Sequence, residues 1–254
     1  MNKLTLTALV LKFGLGIANA TPPRDLEGRV LDFPIVSIMG DSLSAKATSK
    51  GGYAKYLQDS CPGLEIDTYG VGGQNTVQMV KRFKRDIVNK TLGSYRMYDD
   101  VIIFAGINDI AVIDSDYTKT GHIWSEEMVD KRIFGIIERL DAMYQEAKDS
   151  GMRVIAVTIS PWGEYRGKVT KYGQSQWSQN SQRAIDTINL WLRSKPENVD
   201  VVVDAYKILE DPNNPDNLQK EFTGDRLHLN KEGNAVLANE IYTVAYQRIC
   251  SLDN

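Results

Sequence analysis

The sequence predicts an α/β fold in which helices cover a parallel sheet, and three observations predict it. Short β-branched runs alternate with longer stretches of helical period from residue 34 onward. Five such units succeed one another. The strand segments are apolar almost without interruption, as strands covered on both faces are. They lie at residues 34–39, 64–69, 100–105, 153–159 and 200–203, each rich in Val or Ile. The helix candidates are residues 53–60, 76–89, 125–150, 178–193 and 231–250. In the third, Val129, Ile133, Ile136, Leu140, Tyr144 and Ala147 form one stripe. Ser125 stands as its cap, Glu126 and Glu127 occupy the first turn, and Gly151 ends it. The long connections, which carry no strand or helix pattern, lie after the third, fourth and fifth strands.

A chain of 254 residues with 42% hydrophobic residues can bury one large core, and no Gly-, Ser- or Pro-rich linker or internal repeat divides it. One domain over residues 34–254 is therefore expected. A net charge of -3 with scattered Lys and Arg gives no field for polyphosphate, so nucleic acid is not an expected partner. Two histidines and two cysteines, without C-x-x-C or H-E-x-x-H, leave no metal site at useful spacing, and no cofactor is expected. At the start, Lys3 precedes an apolar stretch that ends in Ala18-Asn19-Ala20, the order of a signal peptide over residues 1–20. Residues 21–33 then form an N-terminal extension. Lys12 interrupts the apolar stretch, and the alternative is a retained amphipathic helix. Either way the run is too short to span a membrane. The export reading places the protein in the periplasm or outside the cell. The oligomeric state is not legible.

In open parallel sheets ligands bind beyond the carboxyl ends of the strands. After the first strand comes Gly40-Asp41-Ser42-Leu43, a serine on a turn, which alone is as easily a strand-ending turn. After the second comes Gly70-Val71-Gly72-Gly73-Gln74-Asn75-Thr76. It makes a tight turn or a bare backbone open to a substrate oxygen; the dinucleotide pattern fails at Asn75. After the third, Asn108 in Gly106-Ile107-Asn108-Asp109 offers two amide donors, or a cap. Near the C-terminus, Asp225 stands three residues before His228. A carboxylate there fixes the tautomer of an imidazole, or caps a turn beside a surface histidine. His122, the other histidine, has no carboxylate at comparable spacing and is the lesser candidate for a base.

Taken in this order, the blocks Gly-Asp-Ser-Leu, Gly-x-Asn-Asp and Asp-x-x-His resemble the GDSL lipases and esterases, or SGNH hydrolases. The family's four letters fall on Ser42, Gly73, Asn108 and His228, and the resemblance spans about residues 34 to 250. Gly73 is preferred to Gly72 by its G-x-x-G spacing from Gly70. Thr68 stands where many relatives have an asparagine. The G-x-S-x-G elbow of α/β-hydrolases is absent, since Ser44 replaces its last glycine.

The resemblance implies a three-layer α/β/α sandwich with flavodoxin-like strand order 2-1-3-4-5. It implies a serine-dependent ester hydrolase working through an acyl-enzyme: Ser42 as nucleophile, His228 as base, Asp225 orienting it, and Ser42, Gly73 and Asn108 forming the oxyanion hole. With that strand order the first and last helices lie side by side, so Cys61 and Cys250 are expected to bond in an exported protein. The substrate groove is expected between residues 110–124, 161–177 and 209–222, walled by Trp124, Trp162, Tyr165, Tyr172 and Trp177. Arg166, Lys168, Lys171 and Arg226 stand nearby, so the expected substrate is a polar or anionic acyl ester, preferably an acetylated carbohydrate of an envelope glycan. The alternatives are a lysophospholipase or thioesterase, or an acyltransferase or glycan-binding module of the same fold.

Overall fold

The computed structural model describes residues 33–46, 51–90, 98–120, 124–163 and 177–251, with the backbone alone for 114–120. The expected signal peptide and, but for Phe33, the extension lie outside the described residues.

The five predicted strands are β1 (Ile35–Gly40), β2 (Glu65–Gly70), β3 (Asp100–Phe104), β4 (Arg153–Val157) and β5 (Val201–Val203). They pair in parallel in the order β2-β1-β3-β4-β5. Burial on both faces holds for β1, β3 and β4, the inner strands. The edge strand β2, Glu-Ile-Asp-Thr-Tyr-Gly, stays part-exposed along its length, and β5 is buried only at Val203. Both strands leading to the Ser42 and Gly73 segments run one residue further than the apolar pattern, so Gly40 and Gly70 pair across the sheet.

The helices are α1 (Gly52–Ser60), α2 (Thr76–Phe83), α3 (Ile107–Thr120), α4 (Glu126–Asp149), α5 (Gln179–Arg193), α6 (Ala205–Leu209), α7 (Lys231–Ile241) and α8 (Gln247–Cys250). Wider turns, Lys84–Val88 and Tyr242–Tyr246, continue α2 and α7. Helix α1 packs on α7, while α2 and α5 both pack on α4, which gives the sandwich its two outer layers. Caps begin the long helices: Asn75 with Gln78 forms a capping box on α2, Ser125 caps α4, and Asn230 caps α7.

Helix α3 is the main departure from the sequence reading, which expects a loop from residue 110. Ile107, Ile110 and Ile113 supply a buried stripe at its start. The remainder, Asp114-Ser115-Asp116-Tyr117-Thr118-Lys119-Thr120, contains mostly weak helix formers and conceals it. The short helix α6 is also unforeseen; Asp204 caps it through the Lys207 N–H. Among the described residues no helix is long and apolar enough to cross a membrane.

Cys61 closes α1 and Cys250 closes α8, and with α1 packed on α7 their Cα atoms stand 5.5 Å apart, where they form a disulfide.

Candidate active site

The residues singled out after β1, β2 and β3 meet those before α7 at the carboxyl edge of the sheet. Ser42 opens a single 3-10 turn, Ser42–Ser44, and the turn is seated on the ends of β1 and β2. Two glycines make the seat. A β-carbon at Gly40 would lie 2.4 Å from Ser44 Oγ, and one at Gly70 would lie 2.3 Å from the Ser44 carbonyl carbon. Either strand end would collide with the turn if it carried a side chain. Ser44 Oγ and Tyr53 OH, both buried, share a hydrogen bond of 2.9 Å that fastens the turn to α1.

Asp41 caps the turn: its Oδ1 accepts from the Leu43 N–H at 2.9 Å. Its Oδ2 accepts from the Asn108 amide at 3.1 Å. Asp41 is 1% exposed. Burial pushes its carboxyl up to about 6, against the lowering effect of the Leu43 N–H, the nearby His228 and the Asn108 amide. Asn108 Nδ2 donates also to the Gln74 carbonyl at 3.1 Å, so the amide bridges the turns after β1 and β2. Both of its hydrogens are thereby directed at Asp41 and Gln74, and a substrate oxygen could be served only by sharing or exchanging one of them.

Gly73 is exposed, with φ at +74°, and a β-carbon on it would meet nothing within 4 Å. Its glycine is therefore demanded by the backbone conformation rather than by crowding. The neighbouring Gly72 lies nearer the serine, since its β-carbon would stand 3.8 Å from Ser42 Cβ.

The His228 side is built locally. Asp225 Oδ1 accepts from the N–H groups of Leu227 at 3.0 Å and His228 at 2.7 Å. Its Oδ2 meets His228 Nδ1 at 2.7 Å. One carboxylate thus holds both the backbone and the ring of the same histidine. Thr223 Oγ1 donates to the His228 carbonyl at 2.8 Å and accepts from the Arg226 N–H at 2.9 Å. Arg226 itself turns the loop with φ at +67°. Burial opposes charge on Asp225, yet the bonds from the His228 ring and the two N–H groups outweigh it and hold the carboxyl below the usual range. His228 Nε2 then reaches Ser42 Oγ at 2.9 Å. With Nδ1 donating to Asp225, Nε2 is left as the acceptor that faces the hydroxyl.

Of the residues expected in the groove, Trp124 borders an open cavity beside α4. Trp177 is part-buried, and its indole N–H donates to Gln182 at 3.0 Å. Trp162 is corrected: it is 1% exposed and belongs to the core, because the Gly163 N–H, bonded to the Asp216 carbonyl, folds this segment inward. Tyr165, Tyr172, Arg166, Lys168, Lys171 and His122 lie outside the described residues. Among the described residues no cluster of three His, Cys, Asp or Glu is placed to hold a metal.

The roles of Asp41 and Asp109 are absent from the sequence reading. Asp109 is fully buried and accepts from both the N–H and the hydroxyl of Thr76 at 2.8 Å, and Arg139 donates to that hydroxyl at 2.6 Å. This fastens the residue after Asn108 to the first turn of α2, and so fixes the Gly73 segment against Asn108. The signal is an Asn-Asp pair directly after a strand, of which the sequence reading takes only the asparagine.

The carbon traces of several solved structures match this fold. A GDSL-like lipase from Bacteroides thetaiotaomicron shares 20% identity, covering 85% of this chain and 87% of its own, with a TM-score of 0.54. An acetylxylan esterase from Geobacillus stearothermophilus shares 17%, covering 83% and 93%, with a TM-score of 0.57. By sequence, an N-acylneuraminate cytidylyltransferase from Escherichia coli is 27% identical over 180 residues, 70% of this chain. The chain spans about a third of that curated relative, 34% of its length. The model of the GDSL-like lipase/acylhydrolase family matches residues 38–236, well over half of the chain. With strand order, blocks and family match in agreement, the chain belongs to the GDSL-like lipase/acylhydrolase family.

Proposed function

We propose that the protein is a serine-dependent ester hydrolase that releases acyl groups, acetyl above all, from carbohydrate. The single observation that carries this is the continuous chain from Asp225 Oδ2 through His228 to Ser42 Oγ, with links of 2.7 and 2.9 Å. A serine hydroxyl is a weak nucleophile until a base takes its proton, and the geometry puts that base in reach.

In the first step Ser42 Oγ bonds to the ester carbonyl carbon while its proton passes to His228 Nε2. The oxyanion is held by the backbone N–H groups of Ser42 and Gly73 and by an Asn108 hydrogen released from Asp41 or Gln74. Collapse breaks the bond to the sugar oxygen, which leaves with the proton from His228. Water, deprotonated by the same imidazole, then frees the acid and restores Ser42. Asp225, held ionised, stabilises the imidazolium in both steps.

The acetyl and carbohydrate preference is supported by the acetylxylan esterases among the solved relatives, by the sugar acid in the E. coli relative's name, and by Trp124 at the cavity edge. The disulfide between Cys61 and Cys250 supports a periplasmic or extracellular setting. A fluorophosphonate probe tests the nucleophile: it should label the wild type and leave Ser42→Ala unlabelled. Equal labelling of both proteins would remove Ser42 from the mechanism, and no labelling of either would turn the reading toward a glycan-binding module.

A further inference from the structure

Helix α4 carries a feature that the acyl-transfer chemistry leaves unused. Met128, Lys131, Arg132, Gly135 and Arg139 recur at helical spacing along one stripe, and with Trp124 they line an open cavity of about 360 Å³. Three of the six are cations, in a chain whose net charge is -3. Two of the acidic side chains nearby are committed elsewhere. Asp130 pairs with Arg183 across to α5, and Asp109 lies buried beneath Arg139 at 3.4 Å. Among the described residues no carboxylate forms an ion pair with Lys131 or Arg132.

The lining is arranged to receive an anion. The Arg132 guanidinium lies 5.3 Å from the centre of the Trp124 ring. A guanidinium held over an aromatic face can still present N–H groups to a carboxylate or phosphate. Arg139 lies against Gly135, where a β-carbon would stand 3.0 Å from its Nη1. Glycine inside a helix is disfavoured relative to alanine. Here its missing side chain makes room for a cation.

One lining residue, Arg139, is joined to the reaction centre by hydrogen bonds. Arg139 Nε donates to Thr76 Oγ1 at 2.6 Å, Thr76 donates to Asp109, and Asp109 directly succeeds Asn108. A ligand resting on Arg139 therefore lies beside the segment that runs from Gly73 into α2.

We propose that this cavity is the subsite for an anionic group, carboxylate or phosphate, on the sugar whose ester is presented to Ser42, so that the enzyme selects acylated acidic sugars. The inference rests on the esterase reading, and its test separates the two. Full-length protein is assayed on three acetylated sugars: O-acetylgalacturonic acid, O-acetylglucose 6-phosphate and neutral O-acetylglucose. At least one acidic sugar should exceed the neutral one in kcat/KM by about tenfold or more, through KM, and should lose that advantage in high salt. Whichever acidic arm is faster identifies carboxylate or phosphate. In Lys131→Ala/Arg132→Ala the acidic-to-neutral ratio should collapse toward one, and Lys131→Arg should keep it. Arg139 is left intact because it also holds the Thr76 cap. A ratio near one in the wild type, or an undiminished ratio in the double variant, overturns the inference. If none of the three sugars is hydrolysed, the esterase reading fails on its own. Tryptophan fluorescence titrations with galacturonate and glucose 6-phosphate, wild type against double variant, then decide the cavity. A change seen only in the wild type upholds it, and no difference overturns it.

Discussion

The turn that carries Ser42 is held by partners far along the chain, whereas the loop that carries His228 is held by partners within six residues of it. Asp41 reaches Asn108 across 67 positions, and the turn rests on Gly40 and Gly70 at the ends of two strands. Around His228 the bonds come from Asp225 and Thr223, three and five positions away. The difference separates two kinds of dependence. Where position comes from tertiary packing, a substitution disturbs the fold and the chemistry together; where it comes from a local loop, the chemistry can be removed while the fold remains.

Asp225→Asn is the sharpest way to test that separation. An amide oxygen can still accept from the Leu227 and His228 N–H groups, but its NH2 would face Nδ1 and favour the wrong tautomer. Turnover should fall by about 10³- to 10⁴-fold with little change in melting temperature. A loss below about tenfold would mean that Asp225 does not serve the imidazole in the reaction.

Gly70→Ala strikes the other half. Its β-carbon would overlap the backbone of Ser44, so the turn must shift, at a cost of about 3 kcal/mol in stability and with loss of activity. Urea denaturation reads the first and ester turnover the second. Wild-type values for both would show that the turn does not depend on this seat.

The smallest effect is electrostatic. Asp41 titrates near 3.8 when unfolded and is raised to about 6 in the fold, chiefly by burial. The folded state thus binds this proton more tightly. Its contribution to stability is complete below about pH 4 and is lost as pH rises through about 6, amounting to about 2 to 3 kcal/mol. Asp41→Asn, which cannot titrate, should show a flatter stability curve over that interval. Parallel wild-type and variant curves from pH 4 to 7 would refute the raised value.

Legibility in the sequence divides along the same line. The five strands and the residues Ser42, Asn108, Asp225 and His228 are legible because each sits in a short pattern beside a strand end or a helix cap. The cap of α7 at Asn230, two positions after His228, is of that kind. Helix α3 is hidden because packing of Ile107, Ile110 and Ile113 overrides the poor propensity of residues 114–120. Trp162 is misjudged because Pro-Trp-Gly has the composition of a surface loop, and only the distant Asp216 carbonyl shows that it is folded inward. The engagement of Asn108 with Asp41 and Gln74 depends on three strand ends converging, which no local pattern reports. The basic stripe on α4 leaves a local mark, a glycine inside a strongly helical segment between Arg132 and Arg139, which a search for apolar periodicity passes over.

The bond between Cys61 and Cys250 has a mechanical meaning. It closes a covalent ring across 189 positions, with Asn108, Asp225 and His228 on the ring and Ser42 on the free arm before it. A force pulling on the two ends of the chain crosses at that bond, so load reaches residues 62–249 only through their contacts with the arms. The load falls instead on β1 and α1. Stretching should therefore act first on β1, between β2 and β3, and on the 2.9 Å contact of Ser42 with His228.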